Sequence, residues 1–321
     1  MPLVQPATAP YISEMAPLSM GRLPPTTLLA PASITKPHDQ ESLAEEDGEE
    51  EKGPSLDFVF FGIDLKPFLP AHCALSTTLG AICMLLVQVP ILSRTTSMSQ
   101  TALTAFFLVL YSVTLLCLVY CTFADPGQTK VKKTRNLLPE EETMPRRAHK
   151  CWQYPRPIRR YDHYCKWLHN VIGLLNHREF MVMLIGLSLI SVLGTVIDVY
   201  LAIQFAERGT LQSEIIVLVH LAYSIALLAF VGPIIRIHVG LISRNETGQE
   251  WKKNENYVAN NTSLGDNVPV EQLDDDEYNE LFDAGLFVYD RTKNSFDEGT
   301  ASNCFKFWCM ARWPADEKGE W

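Results

Sequence analysis

Charge is scarce where it would be most informative. The chain is 20% charged with a mean hydropathy of +0.03, yet four long stretches hold almost no Asp, Glu, Lys or Arg. A basic nucleic-acid-binding face is missing as well. The net charge is −10, and Lys and Arg cluster in one segment only, between apolar stretches, so no nucleic-acid partner is expected. The eight cysteines, at 73, 83, 117, 121, 151, 165, 304 and 309, form no secreted-type disulfide framework. Four of them lie in apolar stretches, where a thiol behaves as a small hydrophobe, which fits a reduced, cytosol-facing setting. The N-terminal region lacks the basic stretch and apolar run of a secretory leader. Residues 1–55, Pro-rich and then acidic through 38–52, are expected to be a disordered tail.

Four segments, at approximately 71–92, 101–123, 180–205 and 212–242, are apolar for the roughly 20 residues that a bilayer requires. One such segment alone could be a buried soluble helix; four joined by short loops predict a four-span membrane protein. Within the third, Asp198 is expected to face other helices or lie near a membrane surface. In the fourth, Pro233 predicts a kink, and Arg236 and His238 are read as marking the approach to the interface. Residues 56–70 read as an interfacial lead-in, 251–292 as a flexible polar loop, and 303–313 as a packed or interfacial amphipathic segment.

The loops joining spans one to two and three to four carry one Arg each. The loop from 124 to 179 carries Lys130, Lys132, Lys133, Arg135, Arg146, Arg147, Lys150, Arg156, Arg159, Arg160, Lys166 and Arg178. The excess of positive charge predicts that this loop is cytosolic, and four spans then put both termini on the same side.

The chemistry-bearing stretch runs from Arg147 to Phe180, with Asp162, His163 and Cys165 at its centre. A thiol with a pKa of about 8.5 is mostly protonated at neutral pH. A nearby imidazole can take its proton, and a carboxylate can orient that imidazole. Arg159, Arg160 and Lys166 would favour thiolate and could meet the phosphates of an acyl-CoA. By spacing alone the tetrapeptide is also compatible with a surface sequence or half of a metal site. A nucleophilic thiol at a bilayer surface, beside a helical bundle able to hold a lipid chain, suits acyl-CoA chemistry.

The segment resembles the cysteine-rich domain of the DHHC protein S-acyltransferases. Arg147, Ala148, His149 and Cys151 match the family's Arg-Ala-His-x-Cys, and Asp162, His163, Tyr164 and Cys165 match its Asp-His-His-Cys core. Trp167, Asn170, Ile172, Gly173, Asn176 and Phe180 follow in register. Asp125, Pro126 and Gly127 match a landmark after the second span. Asn245, Thr247 and Glu250 resemble Asn-x-Thr-Thr-x-Glu with Gly248 in place of the second Thr. The segment from Asn294 through Asn303 to Trp308 resembles the C-terminal motif. The resemblance implies that Cys165 carries the acyl group, that His163 is the base oriented by Asp162, and that Thr247, Glu250 and Asn303 hold the catalytic segment against the bundle.

The family's two structural zinc sites are not reproduced. The expected ligand positions are occupied by Leu137, Glu140, Tyr154, Pro157, Tyr164 and Val171; only His149 and Cys151 remain, with His169 or His177 available for a makeshift site. No full metal site is expected, because structural zinc needs four ligands. Trp152, Tyr154, Pro155, Pro157, Ile158 and Tyr164 are expected to stiffen the segment instead.

These readings together predict an all-α membrane protein of four transmembrane helices, with a small, largely cysteine-depleted cytosolic domain between helices two and three. The boundaries are a tail over 1–55, the lead-in and first two spans over 56–123, the catalytic domain over 124–179, spans three and four over 180–242, and a cytosolic C-terminal region over 243–321. The expected donor is palmitoyl-CoA, with no cofactor, and the acceptors are cysteines of membrane-associated proteins at the Golgi or endoplasmic reticulum bilayer. The alternatives are an inactive adaptor of the same fold, and a transporter or receptor; few central ionisable groups beyond Asp198 and His220 speak for the latter.

Overall fold

Long apolar runs without water to bond the backbone can only close their hydrogen bonds within a helix. Four helices long and apolar enough to cross a membrane run Lys66–Thr95, Gln100–Phe123, His177–Gln204 and Ser213–Ser243. They extend the sequence-predicted spans by a few residues at most ends. The structure is a computed structural model that describes residues 59–60, 63–129, 145–208 and 211–312. The predicted tail over 1–55, the four basic residues from Lys130 to Arg135, and Leu137 and Glu140 lie outside the described residues. Two compact units emerge: one holds Tyr257–Tyr289, the other holds the four helices with the segments around them.

The first span follows a two-residue hairpin, β1 (Val59–Phe60) with β2 (Ile63–Asp64). Its interior contains a π-helical turn, Met84–Gln88, and buried Gln88 donates to Asp198 Oδ1 at 3.2 Å. Asp198 Oδ2 lies 2.6 Å from His220 Nδ1. Asp198 is fully buried, so it faces other helices, where low polarity makes such pairing necessary. Side chains such as Leu86, Leu116, Ile203 and Val219 stay exposed on the outside of the bundle, as lipid-facing positions require. The fourth helix continues through Pro233.

The expectation of an all-α chain fails between spans two and three. There β3 (His149–Cys151) pairs with β4 (Tyr154–Ile158), and β5 (His163–Cys165) pairs with β6 (Asn170–Ile172), both antiparallel. Pro155 and Pro157 remove backbone donors that a helix would need. Arg160 and His169 adopt left-handed φ values of 46° and 49° that reverse the chain. The two hairpins approach tightly: a Cβ at Gly173 would meet Ile158 Cγ2 at 2.6 Å and the Pro126 carbonyl oxygen at 2.8 Å. After the fourth span come the helix Gly248–Lys253 and, later, the helix Thr300–Cys309.

The expected flexible loop over 251–292 is also corrected. Within it β7 (Tyr257–Ala259) is flanked by β8 (Val268–Pro269) and β9 (Phe287–Tyr289) in an antiparallel sheet. A helix, Asp275–Asp283, starts where the Asp274 side chain accepts from the Glu277 N–H. The acidic run read as a loop is thus a capped first turn, where carboxylates are favoured.

Candidate active site

Strand geometry decides what Asp162, His163, Tyr164 and Cys165 can do. Successive side chains on a strand point to opposite faces. His163 and Cys165 therefore share one face of β5, and Tyr164 takes the other. The β5–β6 register sets Cys165 opposite Asn170 and Tyr164 opposite Val171. Asn170 fixes that hairpin to the second span: its Nδ2 donates to the carbonyls of Cys121 at 2.8 Å and Ala124 at 3.0 Å, which a helix C-terminus leaves unpaired. Asn176 bridges Gly173 N–H and the Val171 carbonyl. Asp125 closes the turn over Pro126 and Gly127 by accepting from the Gly127 and Gln128 N–H groups.

Cys165 is 8% exposed and sits in an apolar cluster with Leu118 and Cys121 of the second span, Phe180 and Leu184 of the third, and Val231 of the fourth. Trp167 packs against the same cluster and edge-on against Phe230. Cys165 shares the His163 face of β5 and is among the groups that raise His163, and His163 Nδ1 lies 2.7 Å from Asp162 Oδ2. The three predicted catalytic residues are thus brought together in the predicted order.

Asp162 is 1% exposed. Burial opposes its charge, but His177, the His163 hydrogen bond and His238 outweigh that and hold the carboxyl well below the usual range. His163 is likewise disfavoured as a cation by burial, yet its interactions with Asp162 and Cys165 push it up to about 10. The other Asp162 oxygen accepts from the Gly248 N–H at 2.8 Å. A Cβ at Gly248 would lie 2.9 Å from the Asp162 carbonyl oxygen, so glycine at this departure from the resemblance is what permits the approach.

Two further imidazoles surround the carboxylate. His177 Nε2 is 3.9 Å from Asp162 Oδ1, and His238 Nδ1 is 3.9 Å from Asp162 Oδ2. The sequence predicts His238 at the membrane interface; the structure buries it at 6% exposure beside Asp162 and His163, while Arg236 is exposed. Helical periodicity was the available signal, since Ile234, Ile235 and Ile242 pack toward the same cluster.

Behind the pair, Arg147 is 2% exposed. It donates to Glu250 Oε1 at 2.7 Å and Oε2 at 3.0 Å and to the Asn245 side chain and carbonyl. Its guanidinium carbon lies 3.6 Å from the centroid of the Phe296 ring. Thr247 and Glu250 form a capping box on the helix that Gly248 opens. Asn303 donates to the Ser243 carbonyl and to Asp297. Arg159 and Arg160 are buried, and Arg160 donates to Asn245 Oδ1 at 2.9 Å. Of the three basic residues expected at acyl-CoA phosphates, Lys166 alone is half-buried and accessible.

The donors of the β3–β6 segment do not fit a pair of zinc sites. Tyr154 donates its hydroxyl to Asn170 Oδ1 at 2.6 Å, Tyr164 OH lies 3.0 Å from His169 Nδ1, and Val171 offers no donor atom. Trp152 stacks edge-on against Tyr164, and His149 against Tyr161. Residues 133–255 match the sequence model of the family described as DHHC palmitoyltransferase. A mouse (Mus musculus) protein named Palmitoyltransferase ZDHHC12 is 24% identical over 242 residues, covering 67% of this chain and 76% of its own. Palmitoyltransferase ZDHHC3 of Rattus norvegicus is 31% identical over 148 residues, 43% of this chain and 48% of its own. Probable protein S-acyltransferase 15 of Arabidopsis thaliana is 24% identical over 159 residues, 44% of this chain and 63% of its own. The matched segment is the one that holds Asp162, His163 and Cys165, and it is over this segment that the chain is similar to the DHHC palmitoyltransferases.

Proposed function

We propose that this protein is a protein S-palmitoyltransferase in which Cys165 carries the acyl group. The carrying observation is that Asp162 pairs with His163 Nδ1 at 2.7 Å while Cys165, on the same face of β5 as His163, packs in the apolar cluster of the helices. In the first step the Cys165 proton passes to the His163 ring nitrogen. The sulfur attacks the thioester carbonyl of acyl-CoA, the carbon–sulfur bond to CoA breaks, and the CoA thiolate leaves with the proton. In the second step the thiol of an acceptor cysteine gives its proton to His163, attacks the acyl-Cys165 thioester and releases Cys165. A covalent relay of this kind gives ping-pong kinetics. Lys166, half-buried where Arg159 and Arg160 are buried, is the contact for the CoA phosphates in this reading, and membrane-associated proteins supply the acceptor cysteines.

Purified protein incubated with a labelled palmitoyl-CoA analogue is expected to take up label that hydroxylamine releases, and Cys165→Ser is expected to abolish it. Folded wild-type protein that takes up none would favour an inactive adaptor instead. The charge asymmetry of the loops supports a cytosolic catalytic segment over 124–179 and cytosolic termini, in a Golgi or endoplasmic reticulum membrane. On that topology Asn245, Asn260 and Asn261, which match the glycosylation pattern, stay unmodified, and a glycosidase-sensitive mass shift in expressed protein would reverse the orientation.

The catalytic segment works without structural zinc in this reading. Tyrosine hydroxyls and ring contacts tie the hairpins where the family's metal would. Elemental analysis should find fewer than two stoichiometric zinc ions, and acylation should survive a strong chelator. Two bound zinc ions per chain would defeat the idea. Tyr154→Phe removes a hydroxyl from a partly buried bond to Asn170, an expected loss of about 1 kcal/mol of stability.

A further inference from the structure

We propose that Asp162, His163 and His238 form a binding site for a divalent cation of the zinc class, and that filling it switches the Cys165 thiol off. The site differs in residues and donors from the family's zinc positions named above. A carboxylate and two imidazoles are the donor set that suits zinc and its neighbours. Their ligand atoms lie within 4.8 Å of one another. Zinc bonds of roughly 2.0–2.1 Å at tetrahedral angles put donors about 3.3 Å apart. Asp162 Oδ2 is 2.7 Å from His163 Nδ1 and 3.9 Å from His238 Nδ1. These two separations bracket the required one, and the third, within 4.8 Å, reaches it with side-chain shifts on the order of an ångström.

The unpaired nitrogens point the same way. His238 Nδ1 and both ring nitrogens of His177 are buried without a hydrogen-bond partner, an unfavourable state for a polar atom. A cation between Asp162 and His238 would satisfy the first. His177 Nε2, 3.9 Å from the other Asp162 oxygen, or a water would complete the coordination. Entry is open, because the His163 side chain is 33% exposed.

The consequence for chemistry rests on the catalytic reading above. A metal on His163 Nδ1 takes the lone pair left when the proton that Asp162 now accepts is released to solvent. The ring then recovers one proton from solvent at its other nitrogen, the one that serves Cys165, and stays neutral. An imidazole in that tautomer cannot take a proton from the thiol.

The test uses full-length purified protein and two readouts. Cobalt(II), which reports tetrahedral coordination by its visible absorption, should give that spectrum with wild type and with Cys165→Ser, and lose it in His238→Phe and His238→Gln. Buffered zinc should inhibit palmitoyl-CoA-dependent labelling of Cys165, with the inhibitory concentration at least tenfold higher in both His238 variants, each compared with its own metal-free rate. Equal zinc sensitivity in wild type and His238 variants, or a cobalt spectrum that disappears in Cys165→Ser, would overturn the proposal. The spectrum does not depend on turnover, so a His238-dependent spectrum without any labelling would keep the metal site and refute the catalytic role, whereas labelling without the spectrum would do the reverse.

Discussion

Asp162→Asn is expected to slow formation of the Cys165 thioester by roughly 10³- to 10⁴-fold without unfolding the protein. The size follows from the donors on either side. Asp162 Oδ1 accepts from the Gly248 N–H and Oδ2 accepts from His163 Nδ1. Asparagine has one oxygen for these two donors. With the oxygen toward Gly248, its NH₂ faces His163 Nδ1 and forces that nitrogen to be the acceptor. The ring proton then sits on the nitrogen that must serve Cys165, and the base is lost. With the oxygen toward His163, the NH₂ group meets the Gly248 N–H, and one buried donor goes unpaired. The carboxylate is also among the interactions that raise His163 to about 10 against the opposing effect of burial, so the variant leaves a weaker base in a buried place.

The stability effect has a definite sign. His163 is raised on folding, so its stabilising contribution is complete below its unfolded value of about 6.5 and is lost as the pH rises through about 10. Asp162 is lowered, so its contribution is complete above about pH 4 and is lost as the pH falls further. Single-turnover labelling by palmitoyl-CoA, with thermal unfolding as the control for folding, measures the predicted loss. A fall of less than tenfold would show that Asp162 does not orient the base.

The spans were legible because lipid-compatible hydropathy is a property of composition along the chain, and Asp162, His163 and Cys165 stood out because three complementary groups fall within four residues of a motif. His238 did not. It lies 75 residues from His163, and hydropathy gives a helix's existence but not which side meets a distant loop. Gly248 was read only as a departure from a pattern, since the demand for a bare Cα comes from the Asp162 carbonyl oxygen pressing on it. Arg159 and Arg160 read as phosphate contacts because basic residues near a nucleophile are ordinarily solvated. The burial of Arg160 goes with Asn245, whose left-handed φ of 47° turns its side chain and carbonyl toward Arg147 and Arg160. The Tyr257–Tyr289 unit was missed for the opposite reason: polar, acidic composition masked short strands whose buried side chains, Tyr257, Val258 and Ala259, are too few to dominate a window.

Arg147→Ala is expected to produce the largest loss of stability, about 3–5 kcal/mol, the usual consequence of removing one partner of a buried ion pair. Glu250 would keep its carboxylate at 8% residue exposure with no counter-charge from Arg147. Asn245 would lose two donors, and Phe296 would lose the guanidinium over its ring. Arg147→Lys should recover little, because an ammonium cannot reproduce the paired bonds to both Glu250 oxygens while also reaching Asn245. The Glu250 partner is not free to compensate: its Oε2 also accepts from the Thr247 N–H at 2.8 Å, so a displaced carboxylate opens the capping box and moves Gly248. Because Gly248 N–H holds Asp162, the stability loss should carry a rate loss with it, through a residue that touches neither donor nor acceptor substrate. Thermal unfolding in detergent and Cys165 labelling at a temperature where the variant stays folded separate the two effects. A variant as stable as wild type would mean that the Arg147–Glu250 pair does not hold the catalytic segment to the helices.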